Sequence, residues 1–156
     1  MARSIQDEIQ QTKPFSSLED EALVALQRTA DRLHWRLSEM LKAHGLSPTQ
    51  YNALRILRGA GDEGRSCSEI AERMINRDPD ITRLVDRLER RGLAVRSREG
   101  QDRRVITTRI TPDGLDLLQI LDGPVEAFNR NMLAALGEQQ LRTLIHLLEV
   151  IRGQAE

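Results

Sequence analysis

Between residues 78 and 111 the hydrophobic period of this chain switches from that of a helix to that of a strand, and arginines crowd both sides of the switch. Ile81, Leu84, Val85 and Leu88 recur at i, i+3, i+4 and i+7, so they form one apolar face and leave Thr82, Arg83, Asp86, Arg87 and Arg90 on the other. Asp78 as N-cap and Pro79 in the first turn predict where this helix starts, and Gly92 behind Arg90 and Arg91 predicts a left-handed stop. From Leu93 the chain alternates, with Val95, Ser97 and Glu99 against Ala94, Arg96 and Arg98. Val105 to Ile110 is β-branched and alternating, so a hairpin turning at Gly100 to Arg103 is expected. A core-seated basic helix followed by a two-stranded wing with arginines at its tip suits gripping a duplex in one groove and its neighbour.

The whole-chain charge conceals this pattern. With 23 Lys+Arg and 24 Asp+Glu the net charge is −1, yet residues 77–109 alone hold 10 Arg and 6 Asp+Glu, a local +4 against −5 elsewhere. Such segregation suits one basic face for phosphates on an otherwise soluble protein. The bland alternative is a solvated helix laced with i,i+4 pairs such as Asp86 with Arg90. The attached wing and the sign asymmetry favour double-stranded DNA as the partner.

Other chemistries find no footing. At 156 residues the length suits one domain, and 39% hydrophobic with 30% charged residues is ordinary for a soluble globular chain. No signal peptide or membrane span is expected, which predicts a cytoplasmic protein. The single cysteine, Cys67, stands apart from His34, His44 and His146, so neither a disulfide framework nor a metal site is expected. The chain has no glycine-rich phosphate loop and no nucleophile-elbow motif, so neither a cofactor nor an enzymatic activity is expected.

The rest of the chain reads as helices. Residues 1–16 are a loose arm or a short extra helix. Ser17 caps a long first helix with Leu23, Leu26, Ala30, Leu33, Leu37 and Met40/Leu41 on one stripe, stopped by Gly45. Ser47-Pro48-Thr49-Gln50 opens a second helix as a capping box, and Ser66 with Glu69 opens a third, with Ile70, Ala71 and Met74 facing in. After the wing, Thr111-Pro112-Asp113 begins a long apolar helix expected to kink or break at Gly123-Pro124, and Gly137 precedes a last helix carrying Leu141, Leu144, Ile145, Leu148 and Ile151. The expected fold is therefore mainly α with a small β-hairpin wing. Residues 46–111 form a winged helix-turn-helix lobe, and residues 17–45 and 112–156 form a helical dimerisation region. The terminal stripes are more apolar than one small lobe can cover, which predicts a homodimer; the alternative is a closed bundle within one chain.

Four segments, L-S-P-T-Q-Y-N-A-L-R-I-L from Leu46, S-E-I-A-E-R-M from Ser68, D-I-T-R-L-V-D-R-L-E-R-R-G-L from Asp80 and D-R-R-V-I-T-T-R-I-T-P-D-G from Asp102, resemble the MarR family of winged-helix regulators in order and spacing. The resemblance covers residues from about 18 to 153. It implies a homodimer whose first and last two helices associate and whose two lobes read a pseudo-palindromic operator. It also implies that Arg104 enters the minor groove while Asp102 holds the wing arginine and the recognition helix in place. The opening Arg77-Asp78-Pro79-Asp80 departs from the hydroxyl-rich start of many relatives, so no base preference carries over.

Within that frame Arg83 is the expected base reader, since a guanidinium donates two hydrogen bonds to the O6/N7 edge of guanine, and Thr82 offers a hydroxyl or a methyl. Asp80 either accepts from cytosine N4 or partners the helix N-terminus. Ser66, Ser68, Arg77, Arg87, Arg90 and Arg103 are candidates for positioning contacts to DNA. The family resemblance also implies a small, aromatic or anionic effector. His34, Trp35, Arg36 and Tyr51 are the candidates to line its cleft, although a lone Trp usually packs. Cys67, near a helix N-terminus, is a candidate redox sensor or simply a small packed residue. The expected function is a regulator, most readily a repressor released by a small molecule or stress; a winged-helix module that binds protein instead of DNA is the alternative.

Overall fold

The computed structural model describes residues 3–77, 80–98 and 105–153. It divides into two units, Met1–Leu115 and Asp116–Glu156. The first contains helices α1 (Ile5–Glu8), α2 (Leu18–Lys42), α3 (Pro48–Ala60), α4 (Cys67–Arg73) and α5 (Ile81–Arg90), strands β1 (Ala94–Ser97) and β2 (Thr107–Ile110), and the first turn of α6 (Pro112–Met132). The second contains the remainder of α6 and α7 (Glu138–Gly153). The architecture is mainly helical with one antiparallel hairpin, as expected.

Most helix starts are set by side chains already visible in the sequence. The Ser17 hydroxyl accepts from the Asp20 amide at 3.1 Å, and Ser47 and Gln50 cap each other reciprocally at 3.1 and 3.0 Å. Ser66 and Glu69 form a second reciprocal box, and Thr111 accepts from the Gly114 amide at 3.1 Å to open α6. Residues 5–8 take the form of a short helix, one of the two expectations for the N-terminal region.

The cap of α5 is a correction. Asp78 and Pro79 lie outside the described residues, and the carboxylate that caps the helix is Asp80, which accepts from the Arg83 amide at 3.1 Å. An N-cap needs extended or irregular backbone and an oxygen within reach of the amide three residues on, and Asp80 meets both conditions.

The lobe's core is built from Leu54 and Leu57 of α3, Ile70 of α4 and Val85 and Leu88 of α5, all fully buried. Ala71, expected to face inward, is exposed. A helix of seven residues has two turns, and Ile70 is the only residue of α4 that is buried.

The wing is shorter than the alternation suggests. β1 and β2 pair in the register Ala94↔Ile110 to Ser97↔Thr107, and Val105 and Ile106 lie outside the strand, both exposed. Their β-branched side chains gain no cover there, so nothing rewards extending the ladder. The hairpin acquires a third partner instead: the Arg65 amide donates to the Thr108 carbonyl at 2.9 Å and the Thr108 amide donates back at 2.8 Å. Gly64 makes this approach feasible, because its φ is +67° and a Cβ would lie 2.5 Å from the Thr108 carbonyl oxygen.

In the second unit, α6 is continuous through Pro124, so of the expected kink or break the break does not occur. Proline removes one amide donor, and a helix of 21 residues retains its ladder on both sides. Leu118 and Leu121 are buried, whereas α7 has no buried residue. Among the described residues no helix is long and apolar enough to cross a membrane, and no group of three or more His, Cys, Asp or Glu side chains is placed to hold a metal.

Candidate nucleic-acid interface

Helix α5 presents two different faces. Ile81, Leu84, Val85 and Leu88 are buried, which commits one side to the core and turns Thr82, Arg83, Arg87 and Arg90 outward, all exposed. Gly92, at φ +69°, ends the helix. Arg83, Arg87 and Arg90 line an open depression of about 260 Å³ with Asp86.

Two carboxylates on the same helix would oppose an anionic partner, and the fold sets one cation against both of them. Asp86 does not pair with Arg90, as i,i+4 spacing suggested. It forms an ion pair and hydrogen bond with Arg96 Nη2 of β1, while Arg96 Nε lies 3.2 Å from Glu89 Oε2 and the Arg96 amide donates to Glu89 Oε1 at 3.0 Å. Arg96 sits over the helix because alternate residues of a strand face the same side, and its neighbour on that side, Ala94, is buried. Its side chain is about one-fifth exposed, so the contact is electrostatically stronger than a solvated pair.

The remaining guanidinium groups divide by partner. Arg83 Nε lies 3.0 Å from Asp80 Oδ2. Among the described residues Arg77, Arg87, Arg90 and Arg98 have no carboxylate partner, and all four are exposed. Among the described residues the surface of α5 therefore carries cationic charge that no internal anion satisfies, that of Arg87 and Arg90.

Other arginines fasten the lobe. Arg91 Nη1 donates to the Gly45 carbonyl and Nη2 to that of His44, which ties the end of α5 to the turn after α2. Arg109 donates to the Ser97 hydroxyl at 2.7 Å and to the Asp62 carbonyl, which joins both strands to the turn after α3. The Ile75 amide donates to Asn52 Oδ1 at 2.8 Å, holding the turn between α4 and α5 against α3. Sequence reading missed these links, since each partner pair is separated by 12 to 47 residues and no local pattern relates them.

The serines at the start of α4 differ. Ser68 is exposed, whereas Ser66 donates its hydroxyl to Glu69 Oε2 at 3.0 Å and accepts from the Glu69 amide at 3.3 Å. The Glu69 carboxyl is held below its ordinary pKa, first by the Ser66 backbone amide and then by the Ser66 hydroxyl, with smaller help from Arg65 and Arg73 and a small opposing effect of burial. Cys67 is the first residue of α4, a half-buried free thiol.

The candidate effector residues have unlike surroundings. Tyr51 is buried in α3 with the Arg55 guanidinium 5.9 Å from its ring centroid, whereas His34, Trp35 and Arg36 are exposed on α2, Trp35 at 60%. Asp102, Arg103 and Arg104 of the wing tip lie outside the described residues.

Comparison with known proteins agrees with this geometry. A family model described as the MarR family matches residues 44–105. A solved MarR transcription factor from Planctomyces limnophilus is 42% identical, with 88% of this chain and 99% of that one aligned at a TM-score of 0.67. The transcriptional repressor MdtR of Bacillus subtilis is 28% identical over 92% of each chain. The fold also matches MepR of S. aureus, solved as a complex with DNA, at a TM-score of 0.76 and 18% identity over 83% of this chain and 95% of that one.

Proposed function

The chain belongs to the MarR family of winged-helix transcriptional regulators, and from that premise we propose that it binds duplex DNA as a homodimer, with α5 in the major groove and the wing along the adjacent minor groove. The observation that carries this reading is the outward row of Thr82, Arg83, Arg87 and Arg90, with Arg87 and Arg90 unpaired among the described residues while Arg96 engages the nearby carboxylates. Arg83 reads a base edge; Arg77, Arg87, Arg90 and Ser68 position the lobe on phosphates. Ser66 is a weaker candidate than Ser68 because its hydroxyl is engaged by Glu69. Arg104 enters the minor groove with Arg103 beside it, and Asp102 orients it.

Homodimerisation is supported by the apolar residues of α7 that the chain leaves uncovered, Ile145, Leu147, Val150 and Ile151 among them. Residues 17–45 and 112–156 form the dimer region in this reading, and residues 46–111 the DNA-binding lobe. The protein acts in the cytoplasm as a repressor that occludes a promoter, the role that the name of its relative MdtR carries. An aromatic or anionic effector then acts on α2 beside His34, Trp35 and Arg36. Arg91, which joins the turn after α2 to the end of α5, supplies a route by which such binding reorients the reading helix.

Selection from random duplexes, followed by salt titration and sedimentation of the complex, tests the proposal. Two half-sites about one helical turn apart are expected. Affinity should fall with salt with a slope of roughly 0.9 per phosphate contacted. Arg83→Ala should cost about 1–3 kcal/mol and relax one base pair per half-site, whereas Arg90→Ala should weaken all sequences alike. A protein that selects no sequence and binds without salt dependence would instead be a protein-interaction module.

A further inference from the structure

We infer that Asp80 is a specificity-determining residue that acts through Arg83, holding its guanidinium so that one particular edge faces the DNA. The inference rests on the proposed DNA-binding role of α5 and extends it to a residue that makes no base contact of its own. Both oxygens of one carboxylate are directed at the same neighbour: Oδ1 accepts from the Arg83 amide at 3.1 Å, and Oδ2 lies 3.0 Å from Arg83 Nε. The first contact sets the start of the helix. The second restricts the rotamer of a side chain that is otherwise 77% exposed and has four freely rotating bonds.

A guanidinium offers two bidentate edges, one made of Nε and one terminal nitrogen, the other of both terminal nitrogens. With Nε facing Asp80, the edge left to a partner is the pair Nη1 and Nη2, which makes no hydrogen bond or ion pair among the described residues. Two parallel donors at that spacing match the O6 and N7 acceptors of guanine. The same geometry accounts for an acidic residue at the phosphate-facing end of the helix, because its charge is matched by Arg83. It gives Asp80 a role other than accepting directly from cytosine N4, because each of its oxygens has a contact with Arg83.

Asparagine caps a helix about as well as aspartate, so Asp80→Asn separates the two contacts. The amide keeps an oxygen for the Arg83 N–H, while the ion pair to Nε is lost. Sequence selection should be run on the wild type, Asp80→Asn, Arg83→Ala and the double variant, with thermal unfolding of each and Asp80→Ser as a second cap-retaining replacement. We expect Asp80→Asn to unfold at the wild-type temperature and to lower discrimination at the Arg83 base pair roughly tenfold, within the range that one bidentate contact supports. In the Arg83→Ala background it should change the selected motif no further.

An unchanged motif in Asp80→Asn would overturn the inference, as would uniformly tighter binding to all sequences, which is the signature of simple charge removal. A motif that still shifts in the Arg83→Ala background would show that Asp80 reads a base itself, and would overturn it as well. Failure of the wild type to select any sequence would remove the DNA-binding reading itself and this inference with it, and that result is visible before any variant is compared.

Discussion

Helices α5 and α7 carry the same kind of apolar stripe and meet opposite fates. In α5 all four stripe residues are buried, Val85 and Leu88 completely; in α7 none is, and Ile145 remains more than half exposed. Polar contacts follow the same division. Beside α5 the contacts of Arg96 with Asp86 and Glu89 are half-buried and join a strand to a helix, whereas in the second unit the pairs Arg130–Glu126 and Arg142–Glu138 are i,i+4 contacts more than two-thirds exposed. A periodic stripe states that a helix has a face to cover. It does not state what covers it, and in α7 the described residues leave that face open.

The largest expected effect is in the lobe. Leu88→Ala should lower folding stability by about 2–5 kcal/mol in urea unfolding, because a fully buried leucine loses its contacts and leaves a cavity, whereas Leu147→Ala at low protein concentration should cost well under 1 kcal/mol. Equal losses would break the comparison.

Next comes the polar division. Arg96→Ala leaves Asp86 and Glu89 facing one another without their cation, and a cost of about 2 kcal/mol is expected, less than for a fully buried pair because all three groups retain some water. Arg142→Ala should cost no more than about 0.5 kcal/mol, the usual worth of an exposed i,i+4 pair. Similar unfolding midpoints for the two variants would show that Arg96 is not a fastening of the lobe.

A smaller free energy, measured by a different method, concerns association. Ile145→Asp with Ile151→Asp should raise the dissociation constant of the proposed dimer at least about tenfold in sedimentation, since charged groups would be carried into an apolar contact, while the circular dichroism of the protein stays unchanged. A dimer that is indifferent to both substitutions would place the interface elsewhere.

The smallest effect is on acid stability. Glu69 has its folded pKa depressed by the Ser66 amide and hydroxyl, so its ionised form stabilises the fold above the unfolded pKa of about 4.3, and that contribution disappears as pH falls through the lower folded value. Glu69→Gln retains a capping side chain without the titration, so its unfolding midpoint should fall less steeply than that of the wild type on acidification below about pH 4.3. Parallel curves would show that the Ser66–Glu69 box does not couple to pH.

Much of this molecule was legible in its residues because the governing forces are local. The caps at Ser17, Ser47, Ser66 and Thr111, the stop at Gly92 and the burial of Ile81, Leu84, Val85 and Leu88 each depend on a side chain and a backbone group within four residues, or on helical spacing alone. The division of α5 into an inner and an outer face, and hence the row of Arg83, Arg87 and Arg90, follows from the same periodicity. Where competing local choices existed, as between Asp78 and Asp80 for the cap, or in the span of strand from Val105, the pattern was not sufficient.

What only the tertiary structure decided is which charges remain available. Asp86 is as close to Arg90 in sequence as an i,i+4 partner can be, yet it pairs with Arg96, ten residues on, because the hairpin folds that strand over the helix and the half-buried site strengthens the contact. Arg91 and Arg109 are likewise claimed by carbonyls 46 and 47 residues away. Composition and periodicity determine that this chain has a basic helix with a core side. Long-range chain closure, which brings remote donors and acceptors within 3 Å of one another, determines which of its arginines hold the lobe together and which are left to face a partner.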